Sequence, residues 1–478
     1  MFSSQREKQV AHRDPSSFSY HGKSHTRKRA SKSKPEECAP AELISSPLRK
    51  PPRKGFAEYR RHSHVQEGVF HWYYARTWYP VRVGALFKER YQVLGKLLYG
   101  SCSTIWLCRN LCNGHRYVTL KVFVRGYRQA RQEPKISVHL ETEISDHPGG
   151  KSIRLSCDAF EAQRKDIWIE KRYKCLVFEP LGMSLIDLCQ ISGGRIEADV
   201  LKPIVRSILE TLDFLHTEAG VVHTGETKLS TVDVQGGNIL FKTQDDTVFE
   251  NFEKNQCANP PGRTKRRCYE FRYLKSLLCI SQRALFDSRD VPQDVKDLGS
   301  PVLGDFGDAV VGADTYGAHV MPDLYRAPEL ITRIEWDEKV DIWGLAMTIW
   351  DAIEGKQLFK DKEPDRFKSD GEHLAMTVAL LGLPSKEFSQ IGANSEEYFD
   401  EEGNWKSDIK IPNTSLEEEE KVVQGEERDN FLSFMRRILQ WDSEDRPSAR
   451  ELLDDSWLSI EPPCVDQTGE EERKPGEP

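Results

Sequence analysis

The sequence lacks the hydrophobic segments of a membrane or secreted protein. No run of about 18 uncharged apolar residues occurs, and a bilayer-spanning helix needs roughly that length. The first thirteen residues contain no apolar stretch of the kind found in secretory signals. Since 38% of the residues are hydrophobic and 30% are charged, the composition is typical of a folded, water-soluble protein without membrane association.

Cysteine pairs are missing as well. The eleven cysteines form no C-x-x-C motif, and the nearest two, Cys108 and Cys112, have no His or Cys cluster beside them. A zinc site or a disulfide framework is therefore not predicted, and reduced thiols are expected. This cysteine usage, together with the missing secretory signal, predicts a location in the cytoplasm and the nucleus.

Charge is unevenly distributed along the chain. Residues 1–66 hold fifteen Lys and Arg against six Asp and Glu, so they carry +9, and the remaining 412 residues carry −17. Because residues 1–66 show no apolar period, they are predicted to be a disordered basic arm. Its His25–Lys34 segment fits a nuclear address and a merely solvated tail equally well. Residues 461–478, rich in Glu, Gly and Pro, are predicted to be a disordered tail.

The central part of the chain reads as strands first and helices later, which predicts an α+β protein with two lobes. Strand-like segments are Tyr91–Leu94, Ile105–Cys108 and Tyr117–Val124; helix-like segments are Arg128–Ile144, interrupted by Pro134, then Ile204–His216 and Ile342–Ile353. A polar insert at 242–300 contains two adjacent prolines and a GRTKRR run. We interpret this run as a solvated loop in preference to a second nuclear address.

Polar residues in one particular order fit phosphoryl transfer from ATP. That reaction needs a lysine and a flexible loop for the phosphates, a carboxylate and an amide for metal ions, and a carboxylate to receive the hydroxyl proton. The chain offers Lys121 in YVTLKVFV, Asp233 and Asn238 in DVQGGN, the triplet Asp305-Phe306-Gly307 after an apolar run, then Ala327-Pro328-Glu329, Asp341 in DIWG, and Arg446. Taken singly, these are a strand residue and turn formers. Their order is the one that protein kinases have.

Further motifs resemble the SR-protein kinases, and in particular their fungal branch. They are GKLLYGSCSTIWL, CLVFEPLGMSLIDL at 175–188, the His-Thr pair at 223–224, YPVRVG, and SDHPGG at 145–150. The resemblance covers roughly residues 76–460. It implies a bilobal protein kinase fold with a small antiparallel β-sheet lobe at about 88–180, and a larger, mostly helical lobe at about 181–460. The implied activity is Ser/Thr phosphorylation of Arg/Ser-rich proteins such as splicing factors, using ATP and Mg²⁺. Separately, we expect a monomer, and we expect no direct nucleic-acid binding because the sequence shows no basic platform interleaved with aromatic residues.

The same resemblance assigns roles to individual residues. Lys121 would hold the α- and β-phosphates and pair with Glu133, Asp233 would be the catalytic base, and Asn238 and Asp305 would bind Mg²⁺. Leu98, Gly100 and Ser103 would form the phosphate loop, Phe178 would be the gatekeeper, and Glu179 and Leu181 would offer backbone groups to adenine. Structural or activation roles would fall to Phe306, Gly307, Arg326, Glu329, Asp341 and Arg446, with Glu329 and Arg446 forming an ion pair.

Four departures from the family pattern leave a second hypothesis open. Leu98 replaces the first glycine of the phosphate loop, and the eight residues 225–232 separate Thr224 from Asp233. In addition, Gln235 replaces a lysine of the catalytic loop, and Pro134 directly follows Glu133. Since proline is accepted only in the first turn of a helix, the helix is predicted to begin near Glu133. The alternative to an active kinase is a pseudokinase that works as a binding or scaffold module.

Overall fold

The computed structural model describes residues 47–50, 77–100, 102–112, 116–165, 170–223, 234–258, 263–266, 269–272, 298–312, 321, 323–359 and 366–459. These residues all belong to one unit, Ile44–Pro478. Asp233 and the 225–232 insertion lie outside the described residues, as do the tail after 459 and the basic arm apart from 47–50. Within the described part of the chain, no helix is both long and apolar enough to cross a membrane, and the cysteines are free thiols.

The small lobe is built on a six-stranded antiparallel sheet with the order β1-β2-β3-β4-β6-β5. Its strands are β1 (Leu86–Phe87), β2 (Tyr91–Tyr99), β3 (Ser103–Asn110), β4 (Tyr117–Phe123), β5 (Ser156–Lys165) and β6 (Glu170–Phe178). Between β2 and β3, the Gly100 N–H donates to the Ser103 carbonyl at 2.9 Å. One face of the sheet packs around Trp106, Val118 and Val177.

Helix α1 (Gln129–Glu143) packs on this sheet and contains Pro134 in its interior. The prediction that the helix begins near Glu133 was therefore wrong. Pro134 cannot donate a hydrogen bond to the preceding turn, which costs about 3 kcal/mol in a helix interior. Buried Ile136 and Leu140 contribute roughly 1.5–3 kcal/mol each, so packing of the apolar face offsets the proline.

The insert contains a helix that packs on the small lobe. Helix α4 (Thr247–Ala258) buries Phe249 and Phe252 in a cluster with Leu94 and Leu97 of β2. Gly95 permits this contact, because a Cβ there would lie 2.7 Å from the Phe252 ring. The prediction of a polar insert missed this helix.

One residue of the basic arm also contacts the small lobe at α4. The Arg49 backbone N–H donates to the Gln92 side-chain oxygen at 3.0 Å, and the Gln92 amide donates back to the Arg49 carbonyl at 2.8 Å. The Arg49 guanidinium lies 2.6 Å from buried Glu253, which also accepts a hydrogen bond from the Tyr117 hydroxyl at 2.8 Å. Arg49 therefore joins the arm to α4.

The large lobe is helical and surrounds one central helix. Its helices are α2 (Leu185–Ile191), α3 (Ala198–Thr217), α5 (Pro328–Thr332), α6 (Lys339–Glu354), α7 (Arg366–Leu381), α8 (Lys386–Ile391), α9 (Leu416–Glu419), α10 (Gly425–Ile438) and α11 (Ala449–Leu453). Nearly every residue of α6 is buried, including Trp343 and Trp350, because α3 and α10 both pack against it. The predicted bilobal α+β fold is confirmed.

Three short antiparallel strand pairs lie outside the six-stranded sheet. They are β7 (Val221–Val222) with β12 (Val310–Val311), β8 (Ile239–Phe241) with β11 (Pro301–Leu303), and β9 (Arg263–Arg266) with β10 (Tyr269–Arg272). The β8/β11 pair matters most for the site, since it aligns the residues just before β8 with those just after β11.

Candidate active site

A buried lysine joins the two lobes. Lys121 lies in the middle of β4, and its Nζ atom is 2.6 Å from Glu133 Oε2 on α1 and 2.8 Å from Asp305 Oδ1 beyond β11. Burial by itself lowers the pKa of Lys121, but the two carboxylates outweigh it and raise that pKa above the usual value. The same ammonium outweighs burial at Asp305 and lowers the pKa of its carboxyl. Lys121 therefore carries a proton and Asp305 is ionised at neutral pH.

The β8/β11 pair brings an amide and a carboxylate together. The Gly304 N–H donates to the Asn238 carbonyl at 2.9 Å, so Asn238 and Asp305 lie at the same end of the strand pair and line one cavity. Asp305 has a left-handed backbone with φ of 60°, a conformation that costs of order 1–3 kcal/mol and is common at active sites. Carboxylate and amide oxygens suit Mg²⁺, which protein sites bind through one or two carboxylates plus substrate phosphates.

The cavity between the lobes has a volume of about 270 Å³. Of the residues predicted to contact ATP or metal, it is lined by Leu98, Gly100, Ser103, Lys121, Glu133, Leu181, Asn238 and Asp305. The predicted gatekeeper Phe178 lines it too. Glu179 does not line it, although its carbonyl oxygen accepts a hydrogen bond from a lining residue, Arg154, at 3.2 Å. Sequence analysis missed Arg154.

Leu98, the residue that replaces a glycine, has a packing role. Its partly buried side chain contacts the cluster formed by Leu94, Leu97, Phe249 and Phe252. The phosphate-loop end of β2 is therefore attached to α4 by an apolar contact that a glycine would not make.

The segments on both sides of Asp233 are fixed. The Asp341 carboxylate on α6 accepts hydrogen bonds from the His223 backbone N–H at 2.8 Å and from His216 Nε2 at 3.0 Å. Burial lowers the pKa of His223, and its neutral ring donates from Nε2 to the Gly304 carbonyl at 3.0 Å.

The His223 ring also meets the DFG triplet, since its centroid lies 4.8 Å from that of Phe306 in an edge-on arrangement. On the other side of Asp233, fully buried Val234 offers its carbonyl to the Thr348 hydroxyl. Gly307 contributes a backbone N–H to the Asp305 carboxylate. The chain that carries Asp233 is thus anchored at both ends to α6.

The remaining predicted structural residues do not line the cavity. Arg446 donates two hydrogen bonds to the Glu329 carboxylate at 2.9 and 3.0 Å, with both side chains almost fully buried. Arg326 donates to Asp370 of α7 at 2.5 Å and to the Met321 carbonyl at 3.5 Å. Neither arginine reaches the cavity, so both act by holding the segment after the DFG triplet.

A second cavity, of about 550 Å³, opens beside the catalytic loop. Gln235 and Gly236 form one wall, and Tyr325, Asp351 and Lys356 form another. The Tyr325 hydroxyl donates to the Asp351 carboxylate, and burial raises the pKa of Asp351 to about 7. Asp351 was not among the predicted site residues, although it lies within the helix predicted at Ile342–Ile353.

Comparison with known proteins gives a consistent result. A family model described as the protein kinase domain matches residues 295–458. A serine/threonine protein kinase of Aspergillus fumigatus is 34% identical over 383 residues, covering 80% of this chain and 87% of the relative. The serine/threonine-protein kinase SRPK of Physarum polycephalum is 27% identical over 397 residues, with coverage of 81% and 90%. SRSF protein kinase 3 of Mus musculus is 23% identical over 513 residues, with coverage of 80% and 88%.

Proposed function

Because the chain belongs to the protein kinase superfamily, in the SR-protein-kinase-like family of serine/threonine kinases, we propose that it transfers the γ-phosphoryl group of ATP to serines of Arg/Ser-rich proteins. The observation that carries this proposal is the position of Lys121 between Glu133 and Asp305, with Asn238 on the same cavity. These four side chains supply the cation, the carboxylates and the amide that the reaction needs.

Each residue then has a definite task in the reaction. Lys121 holds the α- and β-phosphates, and Glu133 keeps the ammonium aimed at them. Asp305 and Asn238 would hold Mg²⁺, which would neutralise negative charge on the phosphates. Asp233 accepts the proton of the substrate hydroxyl. Asp341 and His223 position the loop that carries Asp233, which matters because a displacement of about 1 Å can cost roughly a hundredfold in rate.

The cavity that contains Asp351 supports the proposal of a basic substrate. This cavity adjoins the catalytic loop. The Asp351 carboxylate is partly buried, and a guanidinium forms a stronger hydrogen-bonded pair with a partly buried carboxylate than with one in open water. The body of the protein supports the same class, because residues 67–478 carry −17 and attract arginine-rich chains. Relatives named SRPK and SRSF protein kinase 3 point the same way.

The substrate class is tested with three peptides in which serine alternates with arginine, lysine or alanine. Labelled phosphate from ATP with Mg²⁺ should enter the Arg-Ser peptide with the highest kcat/KM, and Asp351→Asn should reduce the preference for arginine over lysine. The matched control is Asp199→Asn, since the Asp199 side chain is 93% exposed on α3. Equal kcat/KM for all three peptides would exclude the proposed substrate class while leaving kinase activity intact.

A further inference from the structure

A cationic side chain, Arg154, lines the proposed nucleotide cavity beside Phe178 and Glu179. Arg154 is placed there by its backbone, because its N–H donates to the Leu303 carbonyl at 2.9 Å. Gly304 makes room for the side chain, since a Cβ on Gly304 would lie 3.3 Å from Arg154 Cδ. The position of the Arg154 side chain therefore depends on the absence of a side chain at Gly304.

The Arg154 guanidinium contacts Phe178 and Glu179. Its Cζ lies 4.9 Å from the centre of the Phe178 ring, a cation–π distance. Its Nη2 donates to the Glu179 carbonyl at 3.2 Å, and its buried Nε has no hydrogen-bond partner among the described residues. Burial lowers the pKa of Arg154 to about 10, despite the nearby Glu133 and Asp305 carboxylates. The group is thus a cation with donor capacity at neutral pH.

Three polar groups can pair with a purine edge: the Arg154 guanidinium, the Glu179 carbonyl and the Leu181 N–H. In the proposed nucleotide mode, the Glu179 carbonyl accepts from the adenine 6-amino group and the Leu181 N–H donates to the adjacent ring nitrogen. Arg154 Nη2 donates to the same Glu179 carbonyl. The set therefore consists of a donor at Arg154, an acceptor at Glu179 and a donor at Leu181.

This set of hydrogen-bonding groups matches two different purine edges. Adenine presents a donor and then an acceptor, and it fits the Glu179–Leu181 half. A 6-oxopurine presents an acceptor oxygen and then a ring N–H donor, the reverse pattern, and it fits the Arg154–Glu179 half after moving one position deeper. Without the arginine, the 6-oxo oxygen would face only a carbonyl, and a site whose polar groups are left unpaired rejects the analogue strongly.

We propose that Arg154 is a specificity-determining residue that lets this kinase bind 6-oxopurine nucleotides, inosine and guanosine triphosphates, beside ATP. Inosine triphosphate binds better than GTP, because the 2-amino group of guanine would face the Leu181 N–H, donor against donor. The chemistry of transfer is unchanged: the bond between the γ-phosphorus and its bridging oxygen breaks, a bond to the serine oxygen forms, the serine proton goes to Asp233, and the nucleoside diphosphate leaves.

The inference rests on the proposed function, since it requires a nucleotide in this cavity, and direct binding separates the two. The full-length chain is titrated with ATP, ITP and GTP by calorimetry with Mg²⁺, without any phosphate acceptor. For the wild type, we expect an ITP Kd within about tenfold of the ATP Kd and a weaker GTP Kd. Arg154→Met keeps the apolar contact with Phe178 but removes the donor. It should weaken ITP and GTP binding by about tenfold or more, the usual effect of losing one charged hydrogen bond, and change ATP binding less than threefold.

Two further variants complete the test. Arg154→Lys restores a cationic donor and should recover part of the ITP affinity, which a purely structural arginine would not do. Arg172→Met is the matched control, because the Arg172 side chain is 63% exposed on β6, and it should leave all three Kd values unchanged. Tight ATP binding with ITP and GTP weaker by more than a thousandfold in the wild type would overturn the inference alone, as would equal weakening of ATP and ITP in Arg154→Met. Failure to bind ATP would overturn the proposed function as well.

Discussion

Lys121 and Asp305 are 184 residues apart in the sequence, yet their Nζ and Oδ1 atoms are 2.8 Å apart. One belongs to the central strand of the small lobe and the other follows the last strand before the DFG phenylalanine. With Glu133 at 2.6 Å on the opposite side of the ammonium, the pair closes the cleft in the arrangement that phosphoryl transfer requires. This contact joins the two lobes at the cavity, which residues of both lobes line.

Replacing Lys121 by methionine should abolish most of the activity. The variant keeps the aliphatic stem but removes the cation that holds the phosphates, so we expect kcat/KM to fall at least about a hundredfold. The pKa of Asp305 should rise, because burial raises it and Lys121 is the main group that offsets this effect. Steady-state assays with ATP check the first effect. Lys254→Met is the control, since its side chain is 69% exposed on α4; a comparable loss in that variant would contradict the assignment.

Breaking the buried ion pair should lower the free energy of unfolding more strongly than it lowers the rate of phosphoryl transfer. Glu329→Gln leaves the Arg446 guanidinium, which is fully buried, without its charge partner, and such losses cost about 3–5 kcal/mol. Urea unfolding of the variant should therefore show a large fall in the free energy of unfolding. Glu161→Gln removes an exposed partner of Lys174 and should change it by about 0–1 kcal/mol. Similar values for the two variants would refute a structural role for the buried pair.

Binding of an arginine-rich substrate should improve as pH rises through 7. Burial raises the pKa of Asp351 to about 7, so the carboxyl is mostly protonated at pH 6 and mostly ionised at pH 8. Only the ionised form attracts a guanidinium, and the KM for the Arg-Ser peptide should accordingly fall over this interval. Asp351→Asn should flatten the profile. Persistence of the wild-type pH dependence in that variant would show that another group is responsible.

The contact between α4 and β2 should limit what position 95 tolerates. Gly95→Ala places a methyl group 2.7 Å from the Phe252 ring, and overpacking of this kind costs about 1–3 kcal/mol. We expect a lower melting temperature and a higher KM for ATP, because β2 carries the phosphate loop. The smaller side chain in Gly95→Ala/Phe252→Leu should recover much of the melting temperature. Gly150→Ala is the control, since its nearest neighbours would lie 3.8 Å away.

Deleting residues 225–232 tests how the catalytic loop tolerates its insertion. His223 and Val234 are anchored to Asp341 and Thr348, so we expect the insertion to bulge away from the cavity and the deletion to change kcat less than tenfold. Single-turnover rates with saturating ATP give the comparison. A gain of a hundredfold or more on deletion would mean that the insertion displaces Asp233 in the natural chain.

The sequence was informative where function depends on residues close together in the chain. The DFG triplet and the DVQGGN segment pointed to Asp305 and Asn238 because short motifs keep their spacing. The helix at Glu133 was mispredicted, since proline propensity is local whereas the burial of Ile136 and Leu140 that offsets it is tertiary. Arg154 was missed for a similar reason: its place in the cavity depends on Gly304, which is far away in the chain.

The contacts between the insert and the small lobe were also not predicted from the sequence. Phe249 and Phe252 are three residues apart and share one helical face, which was a usable signal for α4. The insert was nevertheless interpreted as polar, because prolines and polar residues surround these two phenylalanines. That Arg49 of the basic arm meets Glu253 could not be predicted, because nothing in either segment specifies the other.

Phosphoryl transfer to serine at the Lys121–Asp305 cleft can be measured by incubating the full-length chain with γ-labelled ATP, Mg²⁺ and the Arg-Ser repeat peptide, beside the Asp305→Ala variant. We expect labelled phosphoserine with the wild type and a loss of about a hundredfold or more with Asp305→Ala. A folded wild-type protein that binds ATP and transfers no label, or an Asp305→Ala variant as active as the wild type, would contradict this expectation.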